Sequence, residues 1–185
     1  MPDEPLQIHF RRITDADLAL LHAWIHRSHV AAWWDTPVTP EEVAAEFSPT
    51  LVDDTMVQHF LAVDTTGPIG FIQSYVACHA GDGWWPHETD PGVRGIDQFL
   101  ADEARLNQGL GTAMVRAFIA QLFTDPGVTR IQTDPRPDHA RAIRCYEKAG
   151  FHRVGEIATP DGVALYMVCD RAAWRASLVP GNAAV

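Results

Sequence analysis

The chain has 185 residues, 46% of them hydrophobic, which is enough for one domain with a proper core, and no linker-like stretch divides it. A formal charge of −10, with no Lys/Arg cluster to override it, excludes nucleic acid and anionic membranes as partners and favours a cationic one. No run of about 18 apolar residues is present, and MPDEPLQIHF carries acids where a secretory leader starts basic, so a cytoplasmic protein is expected.

LQIHFRRI, residues 6–13, alternates with period two and reads as a strand, after which Thr14 and Asp15 offer an N-cap for a helix through DADLALLHAWIHRSH. The turn-rich AAWWDTPVTP leads into EEVAAEFSPTLV, helical in its first part. MVQHFLAV and TTGPIGFIQSYVAC then form a hairpin of two strands. GDGWWPHETDPGVRGIDQF, residues 81–99, is a long acidic and aromatic loop running into the strand VRGIDQFLA. GLGTAMVRAFIAQLF is an amphipathic helix with apolar positions at Leu110, Met114, Ala117, Phe118 and Leu122. VTRIQTD, ARAIRCYEKAG, FHRVGEIATP and VALYMVCD supply strand, helix, strand and strand. The expected fold is a single α/β (α+β) domain over residues 1–175, a mixed and mostly antiparallel sheet flanked by helices, with a tail at 176–185.

Gly109 and Gly111 stand where a helix opens after a strand, and the unpaired N–H groups of that helix start suit a phosphate-bearing ligand. No dinucleotide or P-loop fingerprint is present. Cys78, Cys145 and Cys169 are odd in number and far apart, so neither a disulfide framework nor a zinc cluster is expected, only buried thiols. His22, His26 and His29 share one face of the expected first helix, but no carboxylate has the spacing to complete a metal site.

NQGLGTAMV and ARAIRCYEKAGF together resemble the acetyl-CoA signature of the Gcn5-related N-acetyltransferase (GNAT) superfamily. WWDTP, GFIQSYVAC, GDGWWPHETDPGVRGIDQF, IQTDP, RAIRCYEKAGF and TPDG, in that order, are similar to the aminoglycoside 6'-N-acetyltransferases of bacterial antibiotic resistance. The resemblance implies acetyl-CoA as co-substrate, no metal, and a polycationic aminoglycoside as acceptor, with the protein a monomer or homodimer. Coenzyme contacts are implied at Gln98, Phe99, Leu100, Gln108, Gly109, Leu110, Gly111, Thr112 and Tyr146. The aminoglycoside pocket is implied at Trp33, Trp34, Asp82, Trp84, Trp85, Asp97, Asp134 and Asp161, carboxylates for ammonium groups and flat rings for sugars. Asp97 is the candidate base for the 6'-amine, directly or through water, and Tyr146 the candidate acid for the departing thiolate. Two other functions remain to be weighed: acylation of a siderophore precursor of the hydroxylysine type, whose carboxylate would call for a basic group in the loop, and a non-catalytic acetyl-CoA or aminoglycoside binder.

Overall fold

The computed structural model describes residues 7–34, 39–53 and 55–178. Residue 6 of the expected first strand, the turn at 35–38 and residues 179–185 of the expected tail lie outside these. Strands β1 (His9–Arg12), β2 (Val57–Asp64), β3 (Gly67–Val76), β4 (Val93–Leu100), β5 (Arg130–Thr133), β6 (His152–Thr159) and β7 (Gly162–Asp170) form one sheet in the order β1-β2-β3-β4-β5-β7-β6. Every neighbouring pair is antiparallel except β4 and β5.

Helices α1 (Leu18–Ile25), α2 (Ser28–Ala31) and α3 (Pro40–Phe47) cover one face; α4 (Leu110–Leu122), α5 (Ala140–Ala149) and α6 (Arg171–Ser177) cover the other. The alternation of side chains along β2 and β3 feeds both cores: Leu61 and Phe71 pack with Leu21, Ile25 and Phe47, whereas Phe60 and Ile72 pack with Phe118 and Ile119. Thr39 and Glu42 start α3 with a reciprocal capping box, the Glu42 N–H donating to Thr39 Oγ1 at 3.2 Å and the Thr39 N–H to Glu42 Oε2 at 2.9 Å. In α4 the buried positions are Leu110, Met114, Val115, Phe118 and Ile119, so the apolar stripe is turned from the expected one, with Ala117 and Leu122 at its margin.

Three features differ from the sequence reading. The expected first helix breaks after Ile25 into two, so His29 belongs to α2 and its Nε2 lies 3.0 Å from the Leu100 carbonyl, off the helix that carries His22 and is capped by His26. Helix α6 was not expected at all, and it runs through Ser177, past the boundary placed at residue 175. Cys169 is buried as expected, whereas Cys78 and Cys145 keep some exposure.

The feature that opens the molecule is the divergence of β4 from β5. Their pairing covers only Val93 with Arg130, Arg94 with Ile131 and Gly95 with Gln132, while β4 stays paired with β3 as far as Leu100. Beyond Gly95 the β5 side of β4 is therefore left without a ladder partner, and a cleft enters the sheet there.

The acidic and aromatic loop is pinned beside this cleft by residues far apart in sequence. Trp85 Nε1 donates to Tyr75 Oη at 3.0 Å, and the Trp85 ring lies 5.4 Å from that of Tyr166 on β7. Glu88 pairs with Arg130 at 2.5 Å, and Asp90 accepts from Gly92 N–H and Thr129 Oγ1, both at 2.7 Å. Tyr75 lies flat over Gly95, where an added Cβ would sit 2.1 Å from Tyr75 Cζ. Gly95→Ala should consequently displace the ring and lower stability by about 1–3 kcal/mol, the usual cost of overpacking. Thermal melting checks this, and an unchanged midpoint would show that the ring is free to move.

Candidate active site

A cavity of about 790 Å3 occupies the cleft. Its floor is β3 and β4, contributing Gln73, Tyr75, Asp97, Gln98, Phe99 and Leu100. At one side the start of α4 faces α5: Gly111 and Thr112 lie against Cys145, with Thr112 Oγ1 3.8 Å from its sulfur. Gly109, the N-cap of α4, has φ +83°, a left-handed conformation that favours glycine, and nothing lies within 4 Å of where its Cβ would be. The first amides of any helix have no partner within it, so those of Leu110, Gly111 and Thr112 are available to an anion.

Arg141, Arg144 and Lys148 of α5 line the same side, three and four residues apart and hence on one helical face. The sequence reading saw no basic cluster because these cations are separated along the chain; helical periodicity gathers them. The other side is acidic. Asp97 from β4, Asp134 following β5, Asp161 in the β6–β7 turn and Glu46 of α3 all reach the cavity. Glu46 was missed because nothing in EEVAAEF distinguishes it from a solvated helix face.

Two of these carboxylates, Asp97 and Asp134, share their charge. Burial is the main cause that pushes Asp134 up to about 8, and the neighbouring carboxylates Asp97 and Asp161 add to it. Burial also raises Asp97, against the hydrogen bond that Gln73 Nε2 donates to its Oδ2 at 2.9 Å. Tyr146 is 4% exposed, and burial holds its phenol well above the usual range, so it keeps its proton at any working pH.

The remaining expected site residues fall into two groups. Trp33, Trp34 and Trp84 line the cavity. Trp33 stacks on His139 at 3.7 Å with Arg136 5.3 Å above its ring, while Trp34 packs edge-on against Phe71 and Phe99 and so is also part of the core. Asp82, Trp85, Gln108 and the Leu110 side chain are not in the lining. Asp82 and Trp85 have φ of 48° and 49°, and that local turn directs the Trp85 indole to Tyr75 and leaves Asp82 exposed. Gln108 folds back to donate to the Ala104 carbonyl at 2.6 Å, and Leu110 is buried with Leu100 and Met114. Among the described residues no group of three or more His, Cys, Asp or Glu side chains could hold a metal ion, and no helix is long and apolar enough to cross a membrane.

The acetyltransferase (GNAT) domain family matches residues 14–159. The chain belongs to this family. Within it, the chain is 52% identical over 167 residues to the aminoglycoside N(6')-acetyltransferase type 1 of Klebsiella pneumoniae, covering 89% of this chain and 83% of that protein. The crystal structure of aminoglycoside acetyltransferase AAC(6')-Ib in complex with coenzyme A and kanamycin superposes with a TM-score of 0.90 at 50% identity, covering 94% of this chain and all of that one (100%). A lysine N-acyltransferase of Mycolicibacterium paratuberculosis is more distant, 26% identical over 170 residues, covering 89% of this chain and 73% of that protein. Structures of AAC(6')-Ib hold acetyl-CoA or coenzyme A, and the open α4 amides and the α5 cations of this chain are chemically suited to the phosphates of such a co-substrate.

Proposed function

We propose that this GNAT enzyme transfers acetyl from acetyl-CoA to the 6'-amine of aminoglycoside antibiotics, by direct attack in a ternary complex, and so confers resistance to them. The observation that carries the reading is that one cavity is lined both by the cations Arg141, Arg144 and Lys148 on one face of α5 and by the mutually close carboxylates Asp97, Asp134 and Asp161. Coenzyme phosphates match the first, and a rigid aminated sugar matches the second. The overall charge of −10 draws such a polycation inward.

When bound, acetyl-CoA supplies the activated acyl group; the chain supplies position and proton transfer. The N–C bond forms as the C–S bond breaks; the proton that the neutral amine loses on attack balances the one that the thiolate takes up, and the earlier proton of the ammonium passes to the base and on to solvent. A primary ammonium with a pKa of about 8 to 10 must lose a proton before it can attack, and Asp97, raised by burial, is better matched to accept it than an exposed carboxylate. Tyr146 acts on the sulfur as a hydrogen-bond donor. Full proton transfer would leave a buried phenolate, which the burial that raises its pKa opposes. Asp134, Asp161 and Glu46 hold the other ammonium groups, and Trp84 offers a flat face to the sugars, while Trp33, its ring taken up by His139 and Arg136, closes the pocket wall. Trp85 supports the loop from behind, through Tyr75. The amides of Gln98 and Leu100, which face away from β3 on the part of β4 without a β5 partner, are suited to polarise the thioester carbonyl, whereas the Phe99 amide turns into the β3 ladder.

Residues 1–175, extended to the end of α6, act as a single transferase domain, in the cytoplasm where acetyl-CoA is available, as a monomer or homodimer. The siderophore-precursor alternative is disfavoured because an amino-acid carboxylate would meet the acidic side. A thiol-release assay across aminoglycosides with and without a 6'-amine tests the reading, with turnover expected only in the first group. Equal turnover of 6'-hydroxyl compounds would defeat the regiochemistry, and activity confined to hydroxylysine would establish the alternative.

A further inference from the structure

His59, Gln73 and Asp97 stand in one cross-strand row. His59 on β2 is directly opposite Gln73 on β3, which is directly opposite Asp97 on β4. Directly opposed residues project from the same face of a sheet, here the face covered by α1 to α3, where Phe71 and Phe99 also point. Gln73 lines the cavity and its Nε2 donates to Asp97 Oδ2 at 2.9 Å. His59 is 6% exposed, its ring edge-on to Phe47 at 5.2 Å and tilted against Phe71 at 5.9 Å.

Burial, helped by the Arg12 charge, holds the His59 pKa down to about 4, although interactions with the Phe47 carbonyl and the Gln73 side chain act the other way. The imidazole is therefore neutral at working pH, with one N–H to donate. A primary amide offers an acceptor at its oxygen and donors at its nitrogen, and turning it over would set the oxygen against the Asp97 carboxylate. His59 stands directly opposite Gln73, and its one N–H, given to the amide oxygen and not to the Phe47 carbonyl, would remove that choice.

We propose that Gln73 is a positioning residue for acetyl transfer, its amide held one way round by His59 so that its NH2 engages Asp97 Oδ2 and leaves Oδ1 to accept the proton of the amine. The inference rests on the reading of Asp97 as the base. The groups facing Asp97 are Gln73 and Tyr75 from β3, Tyr146 from α5, and Asp134 after β5, which Asp161 in turn faces. Those facing His59 are Arg12 from β1, the Phe47 carbonyl of α3 and Gln73. The Gln73 amide is the donor in this set that favours the charged carboxylate, so its loss moves the Asp97 titration upward.

The test is the carboxyl titration of Asp97 by 13C NMR in the substrate-free protein, its signal assigned by its absence from Asp97→Asn, together with the pH profile of kcat. Gln73→Leu should raise the Asp97 titration by about one pH unit and lower kcat about tenfold with KM for acetyl-CoA unchanged. His59→Phe, which keeps an aromatic ring against Phe47 and Phe71, should shift both in the same direction by less, and His59→Asn, which keeps an N–H donor, should restore part of the effect. The double variant should match Gln73→Leu alone, because His59 acts only through the amide. Gln73→Met serves if Gln73→Leu does not fold. An unmoved Asp97 titration in either single variant, or additive effects in the double variant, would overturn the proposal. The titration needs no substrate, so a wild-type enzyme inactive on every aminoglycoside would sink the proposed function and still leave this result readable.

Discussion

Asp97→Asn should lower kcat for a 6'-amino aminoglycoside by about 10²- to 10³-fold while leaving KM for acetyl-CoA within about twofold. The substitution keeps the shape of the side chain, and its carbonyl oxygen can still accept from Gln73 Nε2, so the β3–β4 floor is retained. What is lost is the ability to take a proton. A carboxylate beside an ammonium also stabilises that ammonium, which works against deprotonation. The charge shared between Asp97 and Asp134 reduces this conflict, since burial and mutual repulsion favour a proton on the pair. The acid limb of the wild-type profile should accordingly lie above the ordinary carboxylate range, and the residual activity of Asp97→Asn should lack that limb. Steady-state kinetics over pH checks both statements. A fall in kcat below threefold with a large rise in aminoglycoside KM would make Asp97 an ammonium anchor and leave the base elsewhere.

Asp134→Asn should act in two opposite directions, weakening the substrate complex and strengthening the free fold. Loss of one enclosed carboxylate from the acidic side should raise aminoglycoside KM about tenfold at pH 8, where about 1.4 kcal/mol corresponds to that factor. Stability follows from the direction of the pKa shift. Asp134 titrates near 8 in the folded chain and at about 3.9 in an unfolded one. Between those values the folded state keeps a proton that the unfolded state has lost, so its stabilisation is present at low pH and declines as pH rises from about 4 through 8. Asn mimics the protonated form at every pH. The variant should therefore melt about 2–4 °C or more above wild type at pH 8, equivalent to at least about 1 kcal/mol in a chain of this size, and within about a degree of it at pH 4. Melting curves at the two pH values decide the matter, and a variant less stable than wild type at pH 8 would refute the shared-charge description.

Most elements were legible because their signals are local. Short runs rich in apolar and β-branched residues, joined by the turn TTG, mark β2 and β3, and the glycine that opens α4 needs only its own neighbours to be read. Helix α6 was not read because RAAWRAS carries a single large apolar anchor, Trp174, and its helical state depends on burying that ring against the α4–α5 core. The break between α1 and α2 depends likewise on distant partners, the carbonyls of Leu100 and Ala101 that receive His29 and Arg27. In the candidate site, Asp97, Asp134, Asp161, Trp84 and Tyr146 stand in the cavity lining, each marked in the sequence by a motif. Asp82 and Trp85 belong to the same motif, but the left-handed turns of the loop point them elsewhere.

The seven strands, helices α3 to α5, the acidic balance and the residue types that suit a polycation and a phosphate are legible in the sequence, since each depends on composition or on neighbours a few residues apart. Which side chains meet is a matter of tertiary packing. Strand register aligned His59, Gln73 and Asp97 across three strands, helical periodicity gathered Arg141, Arg144 and Lys148 onto one face, and the parting of β4 from β5 opened the cavity that these cations and the carboxylates both line. Register is a property of paired strands and cleft shape a property of packed layers, so neither is written in any one segment of the chain.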